Sequence, residues 1–419
     1  MNEVFSGTVA VVGLGYIGLP TAVALATRGI AVTGVDVNES TVDAVLHGQV
    51  PFVEPDLAIA VKGAVGVGRL TATTQVPAAD VYIVAVPTPF QADHTADLTY
   101  VDDAVTAIAP HLRHGSLLIL ESTSPPGTTL GVSRLLGRLR PDLRMPHEST
   151  GVPDVHVAHC PERVLPGRIM IEMVTNDRLV GGITQHCAEA AAAVYRVFTQ
   201  GDILTTDAAH AEMAKLVENA YRDVNIAFAN ELSLVSDALR LDVWEIIRLA
   251  NRHPRVNILS PGPGVGGHCI AVDPWFIVAA APEQARLIRA AREVNDAKPH
   301  HVAGLVLERA SRFRDPSVVC LGLTFKANVD DVRESPAAEV VGLIADGAPG
   351  LSVQVCDPFV DALPASLAAR PNVRLRPADE VLDDADLVVL LVDHDQFRSI
   401  ARARLEGKVV FDTRGAWRR

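Results

Sequence analysis

The sequence predicts an α/β protein in which two Rossmann-like, doubly wound sheets are joined by a central helical region. Short Val/Ile/Leu-rich runs alternate with helical stretches from Thr8 to about Gly182, and the alternation resumes with SVVCLGL. Apolar strands separated by helices are typical of a parallel sheet covered on both faces. The segment between has the longer apolar periodicity of helices. We therefore predict an N-terminal Rossmann domain over 1–205, a central helical domain over 206–312 and a C-terminal Rossmann-like domain over 313–419.

The first predicted strand, VAVV, leads into a glycine turn and then a helical stretch. In a turn of this kind the first glycine permits the bend, the second lets a pyrophosphate approach the backbone, and the third allows close helix packing. Asp36 follows the next strand, about 20 residues after Gly15, where a carboxylate accepts hydrogen bonds from a ribose and repels a 2′-phosphate. The pattern favours NAD, against the alternative of a turn that binds nothing. The residues expected at this cofactor are Gly13, Gly15, Tyr16, Ile17, Gly18 and Asp36.

Two later strands of the same domain end in turn sequences, VPTP and ESTSPPG. Ligands of an open parallel sheet sit beyond the carboxyl ends of its strands. We therefore expect Thr88 and Thr123 to line the nicotinamide side of the cofactor. Proline-rich turns also occur after strands where no ligand binds, and that alternative stays open.

A polar trio, Lys215, Asn219 and Arg222, lies on one face of the long predicted helix that follows. A lysine and an amide donor side by side could hold a carbonyl oxygen that acquires negative charge. A solvated polar stripe is the simpler interpretation of the same spacing.

Cys269 follows the glycine-rich segment SPGPGVGG at 260–267. Glycines next to a cysteine let a substrate approach the sulfur, and a nearby cation would favour the nucleophilic thiolate. The alternative is a small buried hydrophobic residue, which is how we interpret the other four cysteines. Those four are Cys160, Cys187, Cys320 and Cys356.

The C-terminal segment repeats the order of the first domain. The run VTGVD corresponds to VQVCD, and ADVYIVAVP corresponds to ADLVVLLVD. This correspondence predicts a second Rossmann-like sheet of similar build.

The composition excludes several classes of protein. Of the 419 residues 48% are hydrophobic, enough for more than one core. A formal net charge of −13 argues against nucleic acid or an anionic membrane as a partner. The cysteines form no CxxC pair, so we expect no metal site of zinc-binding spacing and a reducing, cytoplasmic compartment. We recognise no signal peptide, and the apolar runs are too short to span a bilayer.

Seven motifs, in order, resemble the UDP-glucose/GDP-mannose dehydrogenase family. They are GLGYIGLP, VPTP, ESTSPPGTT, CPERVLPG, EMAKLVENAYRDVNIAFANEL, GPGVGGHCIAVDP and GLTFKANVDDVRESP. The stretch Arg163-Val164-Leu165-Pro166 is most similar to the branch that acts on UDP-N-acetyl-D-mannosamine. Branches acting on UDP-N-acetylglucosamine or UDP-glucose remain alternatives, because a few pocket contacts decide between such sugars. Ser124 stands where many relatives have valine, a difference that removes no group the chemistry needs.

The resemblance implies oxidation of the sugar C6 alcohol to an aldehyde and then to a carboxylate, with two NAD⁺ reduced. Cys269 would form a thiohemiacetal and then a thioester, which water hydrolyses. Lys215 and Asn219 match the positions that stabilise the oxyanion. Asp273 and Glu162 match the carboxylates that activate water and transfer protons, and Thr123 helps to position a water.

The resemblance also implies binding residues and partners. The UDP-sugar would lie against the C-terminal domain, and Arg333 would reach NAD. The central helices suggest a homodimer, in which His253 and Arg255 reach the neighbouring subunit's site; for the segment NRHPRV the alternative is an ordinary helix end. The expected substrate contacts are Arg163, Val164, Lys215, Asn219, Arg222, His253, Arg255, Gly266, Phe325 and Lys326.

Two further alternatives come from outside this activity. One is a catalytically silent protein that binds NAD or a nucleotide sugar and regulates something else. The other is a two-electron hydroxyacid dehydrogenase, which would need neither a cysteine nucleophile nor a second α/β lobe.

Overall fold

Two sheets contain the strands of the computed structural model, which describes residues 5–52, 54, 56–91, 93–149, 151–164, 167–267 and 269–417. The first sheet consists of β1 (Thr8–Val12), β2 (Ala31–Val35), β3 (Leu70–Thr73), β4 (Val81–Val84), β5 (Ser116–Leu120), β6 (Val155–His159), β7 (Arg178–Gly182) and β8 (Ile203–Asp207). The second consists of β9 (Ser317–Leu321), β10 (Ser352–Cys356), β11 (Val373–Leu375), β12 (Leu387–Leu390) and β13 (Val409–Asp412).

Helices connect these strands and fill the middle of the chain. Those before the long central helix are α1 (Gly18–Ala26), α2 (Glu39–Leu46), α3 (Leu57–Gly66), α4 (Thr99–Ile108), α5 (Thr128–Leu139), α6 (Ile169–Thr175) and α7 (Gln185–Tyr195). The central helices are α8 (Ala208–Leu239), α9 (Val243–Ala250), α10 (Asp273–Ala280) and α11 (Arg286–Ala310). The last are α12 (Pro336–Gly347), α13 (Ala365–Ala368), α14 (Ala378–Val381) and α15 (Asp395–Arg398). Short 3-10 helices span Ala109–His111, Pro146–Glu148 and Arg402–Leu405.

The first sheet has the strand order β3-β2-β1-β4-β5-β6-β7-β8. Successive side chains of a strand point to opposite faces, so Val9 and Val11 pack into one core while Ala10 and Val12 pack into the other. Both faces are covered, which explains the uninterrupted apolar runs of the sequence. The predicted doubly wound sheet is confirmed.

One pair of strands differs from the predicted parallel sheet, since β7 runs antiparallel to β6. The chain between them returns to the sheet at the edge where β6 ends, so no crossover is made. The apolar pattern carries no information on strand direction. The edge strand β8 was not predicted either, because it is short of apolar residues and largely exposed.

The second sheet has the order β11-β10-β9-β12-β13 and is parallel throughout. Its order matches that of the first five strands of the first sheet. The runs VTGVD and VQVCD include β2 and β10, which occupy corresponding places in the two sheets. The predicted internal repetition is therefore confirmed.

The chain divides into two compact units, Met1–Glu218 and Asn219–Arg419, and the division falls within α8. The predicted helical segment 206–312 contains α8 to α11. The proposed boundaries at 205 and 312 stay predictions. Among the described residues, no helix combines the length and the apolar character needed to cross a membrane.

Candidate active site

The glycine turn after β1 leaves open backbone where a pyrophosphate would lie. Gly13 has a φ of 94°, and a Cβ atom there would approach the carbonyl oxygen of Ala85 to 2.4 Å. A Cβ at Gly18 would come within 1.8 Å of the Gly13 carbonyl oxygen, so only glycine permits this close packing. Gly15 is exposed, with nothing within 4 Å of the Cβ position. The turn thus fits a dinucleotide phosphate.

Asp36 completes this turn from the end of β2. Its Oδ2 accepts a hydrogen bond from the backbone N–H of Leu14 and its Oδ1 one from Asn38, both at 2.9 Å. The carboxylate is half-buried, which leaves it able to accept further bonds from a ribose. Tyr16 stacks on Phe52 with ring centroids 4.2 Å apart. Ile17 precedes the first residue of α1.

The ends of β4 and β5 meet as predicted for a ligand edge. The hydroxyl of Thr88 donates to the carbonyl oxygen of Thr123 at 2.6 Å, and Ser122 donates to the carbonyl oxygen of Val86 at 2.7 Å. Both threonines are half-buried. Their contact with a cofactor stays a prediction. Ser124 is buried, and its hydroxyl has no hydrogen-bond partner among the described residues.

Glu162 belongs to a buried ion pair that the sequence did not suggest. Its Oε2 lies 2.9 Å from Nη2 of Arg178, and its Oε1 accepts the backbone N–H of Arg163 at 2.7 Å. The guanidinium of Arg178 packs over the rings of Tyr195 and Phe198, at 4.8 and 5.1 Å from their centroids. The signal in the sequence was Arg178, a charged residue at the start of the apolar run RLVGG, which indicates a buried partner of opposite charge.

Glu121 is a second buried carboxyl near this pair, just after β5. Tyr195 donates its hydroxyl to Oε1 at 2.7 Å, and Thr21 donates to Oε2 at 3.0 Å. Burial raises the pKa of Glu121 to about 7, against the attraction of the Arg178 charge. Glu121 therefore holds a proton more readily than an exposed glutamate does.

Arg163 is engaged by a carboxylate of α8. Its Nη2 lies 2.6 Å from Oε1 of Glu218, and its Nε donates to Oε2 at 3.2 Å. Val164 is half-buried beside it, whereas Leu165 and Pro166 lie outside the described residues. A sugar bound at Arg163 would have to use guanidinium hydrogens that Glu218 does not accept, or displace Glu218.

In the second unit, Asn219 and Asp273 are brought together with the cysteine loop. Nδ2 of Asn219 donates to Oδ2 of Asp273 at 2.5 Å. Asp273 is 3% exposed and begins α10, and its backbone N–H donates to the carbonyl oxygen of Cys269 at 2.8 Å. Lys215 lies one turn before Asn219 on α8, and Arg222 is exposed on the same helix.

Cys269 differs from the other cysteines in accessibility, because it is exposed and they are buried. Burial raises the pKa of Cys160 to about 12 and that of Cys356 to about 12, and it also raises the pKa of Cys320. Thiols of this kind are poor nucleophiles at neutral pH. The alternative interpretation of Cys269 as a buried hydrophobic residue is wrong.

The glycines before Cys269 lie against the segment after β9. A Cβ at Gly266 would come within 2.3 Å of the Glu334 carbonyl oxygen, and one at Gly267 within 3.0 Å of the Phe325 ring. Gly266 and Phe325, two predicted substrate contacts, are thus neighbours. Lys326 is exposed nearby in sequence.

Three further predicted residues are exposed. Arg333 is exposed and makes a two-pronged contact with Asp331, at 2.9 and 2.7 Å. His253 and Arg255 are exposed after α9. Their predicted roles at the cofactor and at a neighbouring subunit stay predictions.

Comparisons with known proteins cover nearly all of the chain. Residues 7–199 match the family model described as UDP-glucose/GDP-mannose dehydrogenase family, NAD binding domain. Residues 209–297 match the central domain of that family, and residues 319–419 its UDP binding domain.

Individual relatives carry two different sugar names. The chain is 56% identical to an NDP-N-acetyl-D-galactosaminuronic acid dehydrogenase of Ralstonia nicotianae, over 98% of this chain and 96% of the relative. It is 51% identical to a UDP-N-acetyl-D-mannosamine dehydrogenase of Escherichia coli, over 98% of this chain and 99% of the relative. Among solved structures, a UDP-D-ManNAc dehydrogenase from Pyrococcus horikoshii superposes with a TM-score of 0.87 at 36% identity, covering 98% of this chain and 96% of that one.

Proposed function

Because the chain belongs to the UDP-glucose/GDP-mannose dehydrogenase family, we propose that it oxidises UDP-N-acetyl-D-mannosamine at C6, from the alcohol to the carboxylate. It is an NAD-dependent dehydrogenase with a UDP-binding domain. The observation that carries the proposal is the exposed thiol of Cys269 in a loop that ends at Asp273, whose carboxylate contacts Asn219.

The glycine turn, Asp36 and the paired Thr88 and Thr123 are the residues that would hold NAD. The open backbone at Gly15 suits the pyrophosphate, and the half-buried carboxylate of Asp36 suits a ribose diol rather than a 2′-phosphate. When bound, NAD⁺ accepts the hydride that leaves the sugar in each of the two oxidations.

Cys269 keeps the substrate on the protein between the two oxidations. Its thiolate attacks the C6 aldehyde, and the carbonyl oxygen takes a proton to complete a thiohemiacetal. Loss of a hydride from C6 and a proton from that hydroxyl leaves a thioester. Water then adds to the thioester, the C–S bond breaks, and the uronate and the thiol are released.

Proton transfer and charge stabilisation fall to four polar side chains. Asn219 uses one amide hydrogen on Asp273 and has a second that can donate to an oxyanion, beside the cation of Lys215 on α8. Asp273 and Glu162 are the carboxylates that take up and return protons, and Thr123 helps to position the water. Arg178 holds the Glu162 carboxylate in place.

The sugar is recognised by few groups. The manno and galacto sugars are the two candidates that the relatives' names suggest, and UDP-N-acetylglucosamine and UDP-glucose stay open as alternatives. The loop at Arg163 and Val164 favours the manno sugar, whereas the 56% identity to the Ralstonia relative favours the N-acetyl-D-galactosaminuronic acid reaction in that relative's name. A single epimeric hydroxyl or acetamido group changes discrimination through one or two contacts. The remaining proposed contacts are Arg222, His253, Arg255, Gly266, Phe325 and Lys326 with the substrate, and Arg333 with NAD.

We also propose a homodimer formed through α8. That helix exposes a stripe of large apolar side chains at Tyr221, Phe228, Val235 and Leu239, of which Tyr221 is 71% exposed. Spacings of seven and four residues place these side chains on one helix face, which is suited to pairing with another helix. Phe228→Glu should give monomers in sedimentation velocity, and a wild-type chain that sediments as a monomer would overturn this part.

The decisive test is the NADH released per sugar consumed. UDP-N-acetyl-D-mannosamine, UDP-N-acetyl-D-galactosamine, UDP-N-acetylglucosamine and UDP-glucose are offered separately to the wild type and to Cys269→Ser. We expect two NADH per UDP-N-acetyl-D-mannosamine, and turnover reduced by about three orders of magnitude or more in the variant, since the thioester cannot form. Cys187→Ser, at a buried cysteine far from Cys269 in sequence, is the matched control and should keep its turnover.

Each other outcome identifies the part that fails. Two NADH from the galacto sugar would keep the mechanism and select the second candidate. One NADH per sugar would indicate a two-electron dehydrogenase. No turnover with NAD bound would indicate a regulatory protein.

A further inference from the structure

A buried chain of polar groups connects α11 to the loop that carries Cys269. Arg292, Asp223, Asn295 and Asn230 are each at most 2% exposed. Nη1 of Arg292 donates to Oδ1 of Asp223 at 2.6 Å, and Nδ2 of Asn295 donates to the same oxygen at 2.8 Å. Nδ2 of Asn230 donates to Oδ1 of Asn295 at 2.8 Å. Oδ1 of Asn230 accepts the backbone N–H of Gly262 at 2.8 Å.

The direction of this chain is fixed at both of its ends. The Gly262 backbone nitrogen can only donate, so Asn230 must present its oxygen there and its amide hydrogens to Asn295. Arg292 can only donate, so Asp223 accepts and Asn295 must turn its amide hydrogens toward Asp223. Each amide therefore has one orientation that satisfies both neighbours.

The backbone carbonyl of Asn230 also accepts a hydrogen bond. Its carbonyl oxygen accepts the hydroxyl of Ser233 at 2.6 Å, and that hydroxyl accepts a hydrogen bond from Nζ of the buried Lys298 at 2.6 Å. Asn230 thus has a partner at its amide nitrogen, its amide oxygen and its backbone carbonyl, and these contacts make it a rigid anchor.

The loop between Gly262 and Asp273 is attached to α8 at both ends. Asn230 binds its first residue and Asn219 binds its last. Four glycines stand at 262, 264, 266 and 267, and Gly264 and Gly267 have φ values of 147° and 86°. A glycine-rich backbone has much conformational freedom, so the position of Cys269 depends on these attachments.

We propose that Asn230 is a positioning residue for Cys269, which it holds in place by fixing the Gly262 end of the loop through the Asn230–Asn295–Asp223–Arg292 chain. This proposal rests on the proposed role of Cys269 as the nucleophile. Asn230 touches neither substrate nor cofactor in this role. Its removal should slow the steps that need the thiol and leave binding of the nucleotide sugar largely intact.

The test uses Asn230→Asp in the full-length protein. Aspartate accepts from Gly262 but has no hydrogen to donate to Asn295, so two acceptors face each other in a buried site. With the best sugar of the panel, kcat should fall about tenfold to a hundredfold with little change in KM for the sugar, because small misplacement of a reacting group has effects of that size. Glu231→Gln, at the exposed neighbouring position of α8, is the control and should match the wild type.

A folded Asn230→Asp variant with unchanged kcat would overturn the proposal.

Amide hydrogen exchange followed by mass spectrometry supplies a readout that needs no turnover. Exchange over 260–273 should be about tenfold faster in Asn230→Asp than in the wild type, and unchanged in the first sheet. Unchanged exchange in this loop would contradict the anchor even if no sugar were oxidised. Failure of the wild type on every sugar, with the exchange result as expected, would overturn the proposed function alone. If Asn230→Asp does not fold, Asn230→Ser, too short to reach Gly262, takes its place with the same expected results.

Discussion

The glycine turns of the two sheets share their geometry and differ in what surrounds it. Gly13 donates its N–H to the Val35 carbonyl oxygen at 2.8 Å, and Gly322 donates to that of Cys356 at the same distance. Both have positive φ, at 94° and 100°. Each turn is therefore closed onto the strand that carries the following acid.

The aspartates after the neighbouring strands, Asp36 and Asp357, accept hydrogen bonds from the two turns in the same way. Oδ2 of Asp36 accepts from Leu14 at 2.9 Å, and Oδ2 of Asp357 accepts from Leu323 at 2.7 Å. Their Oδ1 atoms accept from the residue two positions later, Asn38 and Phe359, both at 2.9 Å.

The difference lies beyond the turn. In the first sheet α1 begins five residues after Gly13. In the second sheet α12 begins only at Pro336, and Nε2 of His394 lies 3.1 Å from Oδ2 of Asp357, whose side chain is fully buried. The same strand, turn and acid thus occur in an NAD-binding domain and in a UDP-binding domain, which shows that fold alone does not assign function.

Asp357→Ala should have the largest effect on stability. The substitution leaves buried donors on Leu323, Thr324 and His394 without an acceptor, so we expect a loss of about 3 kcal/mol in the free energy of unfolding. Asp36→Ala, which removes the acceptor of the Leu14 and Asn38 N–H groups, should cost about 1 kcal/mol. Equal losses in urea unfolding would remove the distinction between the two turns.

A buried carboxyl of the first sheet should respond to pH in the opposite sense from Asp357. The pKa of Glu121 is raised to about 7 by burial, so its stabilising effect is full below the pKa of the unfolded chain and is lost as pH rises through 7. Burial alone would raise the pKa of Asp357, but hydrogen bonds from His394, Phe359 and Leu323 lower it. Its contribution is instead present above the unfolded pKa and lost on acidification through the lowered value.

Glu121→Gln tests this contrast. The free energy of unfolding of the wild type, measured in urea, should fall by about 3 kcal/mol between pH 4.5 and pH 7.5 because of this group, and the variant should lack that part of the dependence. Glu148→Gln, at an exposed glutamate of the same unit, is the control. A pH dependence that is unchanged by Glu121→Gln would show that the carboxyl titrates normally.

Asp36→Ala should reduce cofactor affinity by about tenfold, or about 1.4 kcal/mol, because the ribose loses one acceptor. The ratio of NADP to NAD activity should rise, since the charge that repels a 2′-phosphate is gone. Asp357→Asn should leave KM for NAD unchanged in the protein that remains folded. A change of KM for NAD in both variants would contradict the division of roles between the turns.

Ser124→Ala should have the smallest effect. Within the part of the chain that the structure describes, the buried hydroxyl has no hydrogen-bond partner, so its removal should raise the free energy of unfolding by up to about 1 kcal/mol and leave kcat unchanged. Thermal unfolding measures this. Ser122→Ala is the comparison, because Ser122 donates to the Val86 carbonyl oxygen and its loss should lower the melting temperature. A lower melting temperature for Ser124→Ala would show that the hydroxyl has a bound partner.

The sequence predicted the repeated framework because local patterns encode it. Apolar strands, the glycine turn and the acid after β2 follow from periodicity and spacing, and both sheets were found where expected. The direction of β7 was not predictable, because an apolar strand reads the same in either direction. The ion pair of Arg178 with Glu162 and the chain from Arg292 to Gly262 were also missed, because their members are far apart in sequence and have no fixed spacing.

The length of α8 has a consequence for how this protein can change by mutation. Asn219 and Asn230 are eleven residues apart, which in an α-helix of 3.6 residues per turn brings the second to within about 20° of the direction of the first. One inserted residue between them would rotate Asn230 by about 100° and advance it by about 1.5 Å. Both attachments of the cysteine loop could not then be made at once. We therefore expect natural variation between 219 and 230 to consist of substitutions, with insertions and deletions excluded by the angular phase of the helix.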